Sequence, residues 1–137
     1  MSDPSEPLHR AIRDALVANS AVSNAVCARI FDFVPTNTAP AMPYISFGSF
    51  QVLDDWAACI DGAKVYVTLD IWSRDQRTIE AKRICAHVAQ ALNWAELDLG
   101  PEHRLIEITH DSTRVFTDAD GVTTHGVVTL HALTEAI

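Results

Sequence analysis

The chain has 137 residues, 48% of them hydrophobic and 20% charged, which fits one domain (1–137) around a single core and leaves little room for a second. Its formal charge of −8 disfavours wrapping around nucleic acid, which requires clustered Lys and Arg. Apolar runs are a few residues long, far below the roughly 20 needed to span a bilayer, so no membrane helix is expected.

The first ten residues, MSDPSEPLHR, lack the basic flank, apolar stretch and small-residue cleavage site of a secretory signal, which points to synthesis in the cytoplasm. In PLHRAIRDALVANSAV, Leu8, Ile12, Ala15 and Leu16 fall on one helical face, and Pro7 suits a first turn. A first helix is expected, ending near Asn19. CARIFDFVP reads as a short strand from about Cys27 to Val34, closed by Pro35. PTNTAPAMP, with three prolines in nine residues, is a loop.

PYISFGSFQVLDD is rich in β-branched and aromatic residues and reads as strand two, with Gly48 marking a bulge or a close backbone approach. After the turn signal Asp61-Gly62, KVYVTLDIW alternates: Val65, Val67, Leu69 and Ile71 face one way, Tyr66, Thr68, Asp70 and Trp72 the other. This is strand three, paired with strand two. The period then changes to about 3.6, with Ile79 or Ala81, Ile84, Cys85, Val88, Ala91 and Leu92 on one side of a second helix that Ser73 or Asp75 would cap.

NWAELDLGPEH breaks that helix at Gly100-Pro101, and RLIEITHDSTRVF resumes alternation as strand four, with Ile106 and Ile108 on one face. TDADGV is a tight turn, and THGVVTLHAL makes strand five with Val128, Leu130 and Ala132 on one face. The fold class expected is α+β: a mainly antiparallel sheet of four to five strands with two helices on one face, in the order α-β-β-β-α-β-β. Two helices leave the second face of the sheet to solvent or to another protein. Tyr66, Trp72 and Phe116 are candidates for that surface.

The chemistry is sparse. Cys27, Cys59 and Cys85 match no zinc spacing and are expected to be reduced and mostly buried. Of six histidines, His125 and His131 project to the same side of strand five, yet six residues of strand is about 20 Å, too far for one shared ion. Asp-Ala-Asp-Gly in the last turn lacks the remaining ligands of a calcium loop. The acidic neighbours of Cys59 would raise a thiol pKa, Ser46 and Ser112 sit in no glycine-flanked elbow, and five scattered glycines make no phosphate loop. Neither metal nor cofactor nor enzymatic activity is expected. The negative balance leaves room for a local basic patch, for which Arg10 with Arg13, or Arg74, Arg77, Lys82 and Arg83, are the candidates.

Taken in order, PLHRAIRDALVANSAV, ARIFDFVP with PYISFGSFQVLDD, CIDGAKVYVTLDIWSRD leading into IEAKRICAHVAQAL, and STRVFTDADGVTTHGVVTLHAL resemble the tail-completion or tail-terminator proteins of tailed phages, prophages and gene transfer agents. IWSRD before the helix and DADGVTTHGVVTL at the end carry most of the likeness, which covers most of the chain. The resemblance implies a non-enzymatic structural protein of a virion or phage-like particle, located at the head-proximal end of the tail. It implies a homo-oligomeric ring, typically of six subunits, that terminates the tail tube protein polymer and meets a head-completion or connector protein. DNA would pass through the channel without specific binding, and the acidic balance would help by repelling phosphates.

A ring subunit needs heterologous sides, and open strand edges supply them. The interface candidates are Pro40, Met42, Tyr44, Phe47 and Phe50 on the loop and second strand, Trp56 beyond it, and Asp118 with Asp120 at the hairpin tip. Tyr44, Phe47 and Phe50 have core packing as the alternative, and the two aspartates have turn formation. Two other functions compete: a head-completion or connector adaptor, marked by a twelve-subunit ring, and a small metal- or ligand-binding enzyme built around the histidines, marked by bound metal or by activity lost on replacing His125 or His131.

Overall fold

A computed structural model describes residues 3–35, 40–55, 61–75 and 77–137. The chain opens with helix α1 (Ser5–Ala18), placing Leu8, Ala11, Ile12 and Leu16 on its buried face. Asn19 ends that helix in an extended conformation, and its side-chain oxygen accepts from the Val22 N–H at 3.1 Å. One residue therefore stops one helix and caps the next, α2 (Ser20–Val26). The first helix ends where its apolar spacing predicts, and the second helix is an addition to the expected order.

α2 closes on Cys27, which is left-handed at φ 51°, followed by Ala28 at φ 58°. This turn delays the first strand: β1 is only Ile30–Phe31, not the span from Cys27 to Val34. Cys27 is exposed, against the expectation of burial. β2 (Tyr44–Asp55) and β3 (Gly62–Ser73) form the expected antiparallel pair, with a bulge between Phe47 and Phe50. After α3 (Ile79–Leu92) come β4 (His103–Thr117) and β5 (Thr124–Ala136), an antiparallel hairpin.

The sheet order is β1-β2-β3-β5-β4. It is α+β as expected, but two corrections stand. The sheet is mixed, since β1 runs parallel to β2, and the described residues form three helices in the order α-α-β-β-β-α-β-β. The parallel pair follows from the connection: a loop through Pro35 and Pro40, rather than a tight turn, separates the two strands.

One face of the sheet meets the helices. Val65, Val67, Leu69 and Ile71 of β3 and Val128, Leu130 and Ala132 of β5 are fully buried against Leu8, Ile12, Leu16, Val22, Ile84, Val88 and Leu92. Each large side chain in that layer contributes about 1.5–3 kcal/mol by leaving water. α3 lies very close to β5. A Cβ added at Gly126 would stand 2.5 Å from Cys85 Sγ, and burial pushes the Cys85 thiol up to about 11.

Neither Ser73 nor Asp75 caps α3. The strand runs through Ser73, whose hydroxyl donates to Glu80 Oε1 at 2.6 Å in the first helical turn, while Thr78 holds the cap position without a side-chain bond. The linker is instead pinned from β5, where the Thr124 hydroxyl donates to the Arg77 carbonyl at 2.9 Å. A bulge between Leu105 and Glu107 also breaks the expected alternation of β4, leaving Ile106 55% exposed while Ile108 is buried.

Candidate interaction surface

The sheet face turned away from the helices carries the unusual side chains. Across one end, Tyr44, Trp72, His125 and Phe116 stand side by side, because Tyr44 pairs with Trp72, Trp72 with His125 and His125 with Phe116 in the three ladders. The His125 ring stacks on Trp72 with centroids 3.9 Å apart and planes 13° apart, and tilts against Phe116 at 4.9 Å. Phe31 meets Tyr44 edge-on at 5.6 Å. Flat rings at directly opposed positions fit this contact, since opposed side chains on neighbouring strands lie about 5 Å apart.

Polar groups orient this row. His125 Nε2 lies 2.9 Å from Asp70 Oδ1, and Trp72 Nε1 donates to Ser46 Oγ at 3.3 Å. The Arg114 guanidinium sits 5.4 Å over the Phe116 ring. Burial pushes the Tyr44 hydroxyl up, with Arg74 opposing. Further along the strands, His131 stacks on Tyr66 at 4.6 Å with planes 7° apart, and Arg104 pairs with Glu135. The two histidines thus share a face, as their spacing predicts, but each is held by a different ring. Among the described residues, no three His, Cys, Asp or Glu side chains are grouped to hold a metal ion.

The edges of the sheet differ from its centre. β1 covers only the beginning of β2, where the Ile45 N–H donates to the Arg29 carbonyl at 2.9 Å. On the opposite edge, the segment after α3 covers the middle of β4: Trp94 N–H donates to the Ile108 carbonyl at 2.7 Å and His110 N–H to Asn93 Oδ1 at 2.9 Å. Each edge is closed over one part of its length.

Among the described residues, the domain therefore presents ordered aromatic rows and two strand edges covered over only part of their length. The family model described as tail completion protein gp17 matches residues 10–135. The chain belongs to this tail completion family. The fold is shared with solved structures, among them these two. A chain in the virion of a native gene transfer agent particle superposes with a TM-score of 0.88 at 22% identity, covering 98% of this chain and 99% of that one. The gp17 protein of bacteriophage SPP1 gives a TM-score of 0.59 at 20% identity, covering 97% and 90%. No curated protein matches by sequence.

The tail completion protein distributes its sequence-predicted contact residues over several environments. Tyr44 lies in the aromatic row described above. Phe47 is 9% exposed and stacks on His9 of α1 at 3.9 Å, and Phe50, half-buried, lies 5.8 Å from the same ring. Pro40 and Met42 are half-buried in the approach to β2. Trp56 lies outside the described residues, as do 36–39 of the proline-rich loop.

At the hairpin tip, Asp120 accepts from the N–H groups of Val122 and Thr123 and from the Thr123 hydroxyl at 2.6 Å. Those bonds hold its carboxyl down at about 2. Asp118 donates its N–H to the Thr123 carbonyl at 2.7 Å. Both shape the turn. Asp70 was not singled out from sequence as a partner for His125; its place on the non-core side of an alternating strand was the available signal.

Proposed function

We propose that this tail completion protein acts as a ring subunit, six to a ring, that ends the tail tube in a phage-like particle and offers the opposite side of the ring to the head connector. It works by shape and contact, without covalent chemistry, and DNA passes through the ring unread. The observation that carries this is the family match over residues 10–135, which reaches all three described helices and all five strands of the sheet. The aromatic row Tyr44–Trp72–His125–Phe116 and the open parts of both sheet edges support it, because a ring subunit must present unlike patches to its two neighbours. A formal charge of −8 fits passage of DNA without adhesion.

Removing the gene from a particle-producing cell tests this. The expected result is filled heads and tails that fail to join, restored when the protein is supplied from a second copy of the gene. Particles of normal form and number without the protein would overturn the proposal.

A further inference from the structure

The two open stretches of the sheet match each other in length and in hydrogen-bonding phase. On β2 the Ile45 N–H points away from β3, and residues in an antiparallel pair alternate between inward and outward backbone groups. Past the bulge, the register with β3 puts Phe50, Val52 and Asp54 in the outward phase. On β4, Asp118 N–H bonds to the Thr123 carbonyl within the hairpin, so Phe116 and Arg114 bond inward and Thr113, Val115 and Thr117 turn outward. Each edge therefore offers three residues, spaced two apart, whose N–H and C=O groups point outward and meet no other strand among the described residues.

We infer, resting on the ring reading above, that β4 of one subunit pairs with β2 of the next copy of this chain, continuing one sheet around the ring. Strand directions permit it without reversal. β2, β3, β5 and β4 alternate in direction, so a neighbour in the same orientation brings its β2 alongside β4 antiparallel. Matching all three outward residues sets the register: Thr117 opposite Phe50, Val115 opposite Val52, Thr113 opposite Asp54.

Side chains agree with that register. Leu53 and Phe116, 43% and 37% exposed, become diagonal neighbours on one face. Arg114 is the single charge in Ser112–Thr117. It falls opposite Leu53 and diagonal to Asp55, an attractive arrangement on a β2 edge that otherwise carries Asp54 and Asp55. The hairpin tip, with Val122 62% exposed, is carried towards the open depression of about 320 Å³ beside Phe50, lined by Ser5, Glu6, His9 and Asp32.

The register also fixes a tilt. Val115 is level with Gly126, Ile71 and Ile45 across the sheet, whereas Val52 is level with Val65, six residues from Ile71. That offset is roughly 20 Å over four strand spacings totalling roughly 19 Å. A ring closed this way has strands inclined at about 45° to its axis, the upper end of the range in closed barrels.

Cysteine pairing tests the inference, in a background with Cys27 and Cys59 replaced by serine. Leu53→Cys and Arg114→Cys variants are mixed before assembly and oxidised, since opposed residues in the wide part of such a ladder have Cα atoms about 4.5 Å apart, within disulfide range. Gln51→Cys with Phe116→Cys repeats the test at the adjacent opposed pair. The expected result is a cross-linked dimer only in each mixture, absent from either variant alone, and a ladder of multimers when both cysteines are in one chain. An oligomer by native mass spectrometry with no cross-link at either pair overturns the edge pairing and leaves the ring standing. Dimers of a single variant show a two-fold contact and overturn it as well. A protein that stays monomeric both in solution and on isolated particles removes the ring itself.

Discussion

At the scale of single residues, the hairpin tip shows how a carboxylate shapes structure through backbone contacts. The bonds from Thr123 and Val122 to Asp120 are stronger when it is ionised, which holds its carboxyl at about 2 against an ordinary 3.8. A depressed folded-state value means that this contribution is complete above pH 4 and is lost as pH falls towards 2. The difference in urea midpoint between wild type and Asp120→Asn should therefore be constant from pH 7 to 5 and shrink between pH 4 and 2. A difference that does not change across that window would show that the turn does not depend on the charge. The sequence marked this aspartate as a turn residue because Asp-Gly is a turn dipeptide. It could not mark His125 and Asp70 as partners, because they are 55 residues apart and meet only through a ladder register.

At the scale of elements, periodicity located α1, β2, β3, α3, β4 and β5, where alternating or helical apolar spacing is strong. It failed where one side chain or one inserted residue decides the outcome. α2 depends on Asn19 turning the chain and capping it again. The exposure of Ile106 depends on a bulge between Leu105 and Glu107, and a second irregularity follows between His110 and Ser112, so no single alternation runs through the strand. α3 begins later than its apparent caps because Ser73 is committed to the strand and to Glu80.

The approach of α3 to β5 gives a sharper test of packing. Gly126→Ala places a methyl group against Cys85 Sγ and should cost about 1–3 kcal/mol in chemical denaturation. Adding Cys85→Ala removes the obstructing sulfur, so the double variant should be more stable than additivity of the two single changes allows. Strict additivity would mean that the helix already has room to move away.

At the scale of the whole molecule, composition and the missing signatures of catalysis pointed towards a protein that acts by contact, and the ordered segments identified the family. The helix-free face was legible because two helices cannot cover both sides of such a sheet, and Tyr66, Trp72 and Phe116 were placed on it correctly. The individual contact residues were not legible in the same way. Phe47 has the composition of an interface aromatic, yet α1 claims it through His9. Open edges were expected from sequence, but how much of each is covered was not legible, because that depends on what else packs there: β1 beside Ile45, and Trp94 and Asn93 beside Ile108 and His110.

Assembly follows from the same surfaces: copies of this chain are proposed to form a ring at the head-proximal end of a tail tube. Electron microscopy of isolated particles, with the protein located by an appended label at its C-terminus, measures this directly. The expected image is a single ring of six labelled subunits between the tail tube and the head connector. A ring of twelve at the connector itself, or label absent from particles altogether, would contradict it.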